Sequence, residues 1–229
     1  MAGLDEILAQ LHTFADPSRL PGMARYGIAT ETALGITVTE LRKLARAIGR
    51  DHDLAAALWG TGIHEARMLA TMVEDPARVT ETQLEAWVRD LSSWDLCDGL
   101  CGNLLDRTPF AFDKALAWSR RDEEFVKRAG FALMAWTAVH RKDVGDDRFE
   151  VFLPIIRAEA SDERNYVKKA ISWALRQIGK RSPGLNHAAI ETATQIRGID
   201  SRAARWVGSD ALRELTSDAV RERLAVRTR

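Results

Sequence analysis

Five residues come back in kind forty-one positions after they first occur. Phe125-Val126-Lys127-Arg128-Ala129 is echoed by Tyr166-Val167-Lys168-Lys169-Ala170, each word preceded by an acidic start. A repeat of that length has room for two helices and their connectors, and for little else. One such hairpin cannot bury its own apolar face, so it must stack on a neighbour. The same word is not found one period earlier, so the repeat is degenerate.

The rest of the chain agrees with a helical stack. Apolar residues recur at helical spacing throughout, and no stretch shows a convincing strand alternation. The spacing predicts helices over 4–14, from a capping box at Thr37 to Gly49, from Asp51 to Trp59, and over 63–74. Further helices are expected from a second capping box at Thr80 to Leu91, from Trp94, and from Thr108-Pro109 to Trp118. The segment 122–140 is apolar on nearly all sides, which predicts a buried central helix. Helices at 146–160, 162–180 and 183–197 follow, and two more, at 201–207 and 209–226, close the chain. The whole, 1–229, reads as a single helical-repeat domain of the HEAT type.

Charge narrows the partners. Lys and Arg together number 33, as do Asp and Glu, so no global field draws the protein to a polyanion or a membrane surface. A polyanion must therefore be met by a local patch. Cys97 and Cys101 are four apart on an apolar helix face, which suits reduced core residues better than a disulfide or metal pair. The N-terminus lacks a basic region followed by an apolar run, and no segment is long enough to span a bilayer. A soluble, cytoplasmic protein with no membrane association is expected.

Two stretches invite a functional reading. In Ser92-Ser93-Trp94-Asp95-Leu96-Cys97-Asp98, the helical turn angle puts Leu96, Cys97, Leu100, Cys101, Leu104 and Leu105 on one broad face. Trp94 and Asp98, four apart, fall side by side towards its edge. Asp95, Gly99, Gly102 and Asn103 lie further round, the two glycines leaving room for an approach. Either another helix packs on that indole, or it serves a ligand. In the second stretch, Val167, Ala170, Ile171, Ala174 and Ile178 make a core face, and roughly opposite run Tyr166, Lys169, Trp173, Arg176 and Lys180. Interleaved cations and flat rings suit nucleic acid, the cations meeting phosphates and the rings meeting sugars or bases. A solvated basic face with Trp173 covered by a neighbour is the alternative. Arg128 holds in its repeat the place Lys169 holds in the next, which would set two cations in line on one surface.

Other chemistry finds little support. His64-Glu65 lacks the second His of a metalloprotease helix, and no Cys/His cluster has zinc spacing. No glycine-rich phosphate loop or Ser-centred elbow is present.

With these residues in view, the sequence resembles the DNA alkylation repair family of HEAT-like-repeat proteins, the AlkD-like glycosylases. The likeness runs from about Met23 to Arg181. It rests on Met23-Ala24-Arg25-Tyr26, on Gly35-Ile36 with Glu40-Leu41-Arg42, and on Ser93-Trp94-Asp95-Leu96-Cys97-Asp98. Val126-Lys127-Arg128-Ala129 and Val167-Lys168-Lys169-Ala170 with Trp173-Ala174-Leu175-Arg176 complete it. Ser93 stands where some members carry a second Trp.

The resemblance implies an all-α, right-handed stack of antiparallel helical hairpins, a HEAT-like α-solenoid with a concave groove for DNA. It implies a monomer that excises purines alkylated at N3 or N7 from double-stranded DNA, with no metal and no organic cofactor. By position, Asp98 would be the catalytic carboxylate, and Trp94 and Trp173 the indoles contacting the lesion-bearing nucleotide. Tyr26 would lie beside the duplex, Arg128 would hold its backbone, and Lys169 and Arg176 would add to the DNA-binding surface. The base need not be extruded. The family also includes branches without detectable excision, so a non-catalytic protein for distorted or branched DNA is a second expectation. A protein-binding helical-repeat adaptor is a third.

Overall fold

The periodicity read from the sequence is realised throughout. In the computed structural model, which describes residues 3–227, every regular element among the described residues is an α-helix or a short 3-10 turn. No helix there is long and apolar enough to cross a membrane. The chain divides into two compact units, Met1–Thr108 and Pro109–Arg229.

The first unit carries α1 (Leu4–Thr13), α2 (Leu20–Arg25), α3 (Val38–Ile48), α4 (His52–Gly60), α5 (His64–Val73), α6 (Glu81–Arg89) and α7 (Trp94–Asn103). Its helix starts are set by local chemistry. Thr37 accepts from the Glu40 amide at 3.2 Å while Glu40 accepts from the Thr37 amide at 3.0 Å, the reciprocal capping box. Asp51 accepts from the Leu54 amide at 3.0 Å and opens α4. Helix α5 is the spine: α3, α4 and α7 all pack on it. Its small and apolar Ala66, Leu69, Ala70 and Val73 are fully buried. Trp59 and Trp87, both buried, stack with ring centroids 4.2 Å apart.

The second unit holds α8 (Ala111–Trp118), α9 (Glu124–His140), α10 (Asp147–Glu150), α11 (Leu153–Ala158), α12 (Asn165–Gly179), α13 (Pro183–Arg197), α14 (Arg202–Leu215) and α15 (Asp218–Arg227). Helix α9 is its centre, as its all-round apolar surface predicts. It packs on α8 to one side and α12 to the other, and α12 packs in turn on α13 and α14. The repeated words lie side by side, with the rings of Phe125 and Tyr166 5.6 Å apart. At Gly130 a Cβ would stand 2.3 Å from the Ser119 amide nitrogen, so only glycine lets α9 approach the end of α8 this closely.

Four sequence expectations are corrected. The helix expected over 146–160 is two, α10 and α11, because Pro154 cannot donate inside a helix and is tolerated only in the first turn of α11. The final helices break at Thr216–Ser217, not near Gly208. That glycine lies within α14, where a Cβ would meet the Ala193 carbonyl oxygen and the Arg197 amide nitrogen, each at 2.6 Å. Helix α8 starts at Ala111, since the Thr108 hydroxyl donates back to the Leu105 carbonyl instead of capping forward. At Thr80 only half of a capping box forms. Thr80 accepts from the Gln83 amide, but the Gln83 side chain donates to Glu74 at 2.7 Å.

Candidate functional site

The start of α7 is fixed by a chain of polar contacts. Ser93 is fully buried, and its hydroxyl donates to Asp95 Oδ1 at 2.7 Å instead of capping an amide. The other Asp95 oxygen meets His64 Nε2, on α5, at 2.9 Å. Burial alone would lower the His64 pKa, but its hydrogen bond and charge interaction with Asp95 carry it above the ordinary imidazole value. Burial alone would raise Asp95, and His64 brings it below the usual carboxylate value. Both shifts favour a charged pair locking α7 to α5.

Next to His64, the buried Glu65 carboxylate accepts from the amides of Leu34, Gly35 and Ile36 at 2.7, 2.8 and 3.2 Å. Three backbone donors that no helix satisfies are thus met by one side chain. Gly35 has φ +80°, and a Cβ there would overlap the Asp16 carbonyl oxygen at 2.1 Å. The stretch between α2 and α3 is therefore pinned to α5.

On this anchored turn Trp94 and Asp98 are both half-buried, while Leu96, Cys97, Leu100, Cys101, Leu104 and Leu105 are buried as expected. Both cysteines are free thiols, and burial pushes the Cys101 thiol well up, so they belong to the core. The Trp94 indole N–H donates to the Tyr26 carbonyl oxygen at 2.9 Å. Its partner is thus the residue that ends α2, whose own ring is 76 % exposed. The glycines do not leave the expected room. A Cβ at Gly99 would stand 2.6 Å from the Met68 sulfur, and Gly102 is buried. Met68 of α5 fills the space beside Gly99.

In the second unit the stripe on α12 divides in two. Lys169 is exposed and makes no ion pair among the described residues, and Trp173 is half-buried. Trp173 meets Trp136 of α9 edge to face, with centroids 5.5 Å apart at 85°. Arg176 and Lys180, by contrast, both bind Glu214 of α14, Lys180 at 2.5 Å, and Arg176 also lies 3.5 Å from Asp210. Burial alone would raise Glu214, but the hydrogen bonds from Lys180 and Arg176 carry it below its ordinary value. Arg128 is corrected too. It is only 6 % exposed, and its guanidinium donates to the Tyr166 carbonyl oxygen at 2.7 Å. The two in-line cations expected from the repeat are one surface lysine and one buried clamp between α9 and α12.

A half-exposed carboxylate beside a half-exposed indole can stabilise a cationic centre brought to them, the carboxylate by its charge and the ring by its negative face. Among the described residues no group of three or more His, Cys, Asp or Glu is arranged to hold a metal ion. A family model described as DNA alkylation repair enzyme matches residues 7–215. The chain belongs to that family.

The fold of this family member agrees with a solved structure described as "A new family of proteins related to the HEAT-like repeat DNA glycosylases with affinity for branched DNA structures". The TM-score is 0.79 at 19 % sequence identity, covering 97 % of this chain and 96 % of the other. The all-α, HEAT-like architecture is thereby shown. A search of curated proteins returned no match.

Two features, one in each unit, escaped the sequence. Trp136 sits on a helix apolar nearly all round, so nothing in its spacing set it apart from core. The His64–Asp95–Ser93 chain joins residues from two helices, and His64, noticed only as half of a metalloprotease motif, had nothing in the sequence to pair it with Asp95. Burial sorts the indoles better than spacing does: Trp59, Trp87 and Trp118 are core, while Trp94, Trp136 and Trp173 are half-exposed.

Proposed function

We propose that this protein binds duplex DNA and hydrolyses the N-glycosidic bond of cationic N3- or N7-alkylated purines. The observation that carries the reading is the placement of Trp94 and Asp98. They are neighbours on one edge of α7, partly open to solvent, on a turn braced through Asp95, His64 and Ser93. Family membership supplies the chemical context.

The chemistry asks little of the protein. Alkylation puts a positive charge on the purine, which departs as a neutral base, so no strong general acid is needed. Positive charge then develops on the deoxyribose. The Asp98 carboxylate stabilises that charge and orients the attacking water. Trp94, beside Asp98 on α7, offers its ring face to the cationic centre, worth on the order of 0.5–2 kcal/mol. The exposed Tyr26 ring and Lys169 contact the duplex, and Arg128 serves the fold.

The test is release of base from a duplex carrying 7-methylguanine or 3-methyladenine. Wild type is expected to exceed buffer by orders of magnitude and Asp98→Asn to lose most of that gain. Release equal to buffer, unchanged in Asp98→Asn, removes the enzyme reading. The affinity for branched DNA stated for the structurally similar protein favours one alternative, a non-catalytic binder of branched DNA. It predicts tight, salt-sensitive binding to a four-way junction with no base release.

A further inference from the structure

A cavity of about 310 Å³ in the first unit lies among the end of α3, the end of α5 and the segment after α7. Four arginines line it, Arg42, Arg46, Arg50 and Arg107, with Asn103 and Met72, and no carboxylate does. Arg42 and Arg46 are four apart on α3, so their guanidiniums share one stripe. Both are exposed, and neither makes an ion pair among the described residues. Arg50 is held in place: its Nη1 donates to the carbonyl oxygens of Met72, at 3.1 Å, and Glu74. Arg107 has a distant counter-charge, with Nε 3.9 Å from an oxygen of the buried Asp106.

The chain carries no net charge, and Arg176, Lys180, Lys127 and Arg164 are each matched to acidic side chains. Like charges four apart on a helix destabilise it slightly. Several cations gathered round one concavity with no acid in its wall create a local positive field that only an anion relieves. Guanidinium forks match phosphate oxygens two at a time, and a fork fixed by backbone carbonyls loses less freedom on binding.

We propose that this arginine-lined cleft is a binding site for a nucleic-acid phosphate, separate from the Trp94–Asp98 edge. It rests on the DNA-binding reading above and adds a place where the strand is gripped. The phosphate is an internal phosphodiester or a terminal phosphomonoester, which share this chemistry. The contact positions the DNA and carries no sequence information.

The test compares wild type with Arg42→Gln/Arg46→Gln and Lys169→Gln, measuring affinity between 50 and 200 mM salt. The ligands are a closed dumbbell duplex without ends and linear duplexes with 5′-phosphate or 5′-hydroxyl ends. Losing this one phosphate contact flattens the log–log salt slope by about 0.9, so the wild type should lose about 3.5-fold more affinity than the double variant across that range. The same difference on the dumbbell identifies an internal phosphodiester, and a difference confined to 5′-phosphate ends identifies a terminal one. Both arginines are exposed, and an unchanged melting curve verifies the fold of the variant. Wild-type affinity and slope in the double variant, with Lys169→Gln weakened, overturn the cleft and leave DNA binding intact. No DNA binding by wild type overturns both. Displacement of DNA from wild type but not from the double variant by poly-L-glutamate at equal charge overturns the nucleic-acid assignment in favour of an acidic polypeptide.

Discussion

The indole N–H of Trp94 donates to the main-chain carbonyl of Tyr26 at 2.9 Å, joining the first residue of α7 to the residue that closes α2. Two aromatic residues sixty-eight positions apart are thereby coupled through backbone while the Tyr26 ring stays exposed.

That coupling separates stability from ring contact. Trp94→Phe keeps a flat ring but leaves the carbonyl to water, and should cost about 0.5–1.5 kcal/mol in urea denaturation. Tyr26→Ala removes only an exposed ring and should stay within about 0.5 kcal/mol of wild type. In the proposed function Tyr26→Ala should still weaken DNA affinity. A Tyr26→Ala protein that is destabilised by several kcal/mol would show that the ring is structural.

The His64–Asp95 pair gives stability a pH signature. Folding raises the His64 pKa, so its contribution is complete below about 6.5, the ordinary imidazole value, and is lost as pH rises through the folded value. Folding lowers Asp95, so its part is present above about 3.8 and is lost as pH falls through the lower folded value. Urea midpoints from pH 6 to 9 should fall for wild type relative to His64→Gln. Parallel curves for the two proteins would contradict the charged pair.

Gly35 and Gly130 should resist substitution for different reasons. Gly35→Ala places a side chain at φ +80° against the Asp16 carbonyl, and Gly130→Ala forces α9 off the end of α8. Each should lower stability by about 1–3 kcal/mol. Gly22→Ala, where a Cβ meets nothing within 4 Å, is the control and should change little. Equal melting temperatures for all three variants would refute the close approaches.

Glu214 binds both Arg176 and Lys180. Its carboxyl is lowered on folding, so its contribution is present at neutral pH and is lost as pH falls through the folded value. Glu214→Gln should therefore be less stable than wild type at pH 7, and the two should converge in acid. If Arg176 and Lys180 border the DNA path, the same change should also raise DNA affinity at low salt. A variant that binds DNA more weakly than wild type would mean that the ion pairs shape the surface instead.

The sequence alone determined that the chain is helical and, for most helices, which faces they bury, though not every break, as at Pro154 and Gly208. Those properties are set by the period of apolar side chains and by capping groups within a few residues of each other, as at Thr37 and Glu40 or along Val167, Ala170, Ile171 and Ala174. It also placed Trp94 and Asp98 on one helix edge, because four-residue spacing fixes that without any knowledge of neighbours. Tertiary structure alone decided which charges are spent. Arg128, Arg176 and Lys180 read as surface cations on their own helices, and only the packing of α9, α12 and α14 brings a carbonyl or a carboxylate to them. It likewise filled the space beside Gly99 with Met68 and left Arg42 and Arg46 without an acid. A side chain's partner is chosen by residues distant in the chain, and helical spacing carries no information about them.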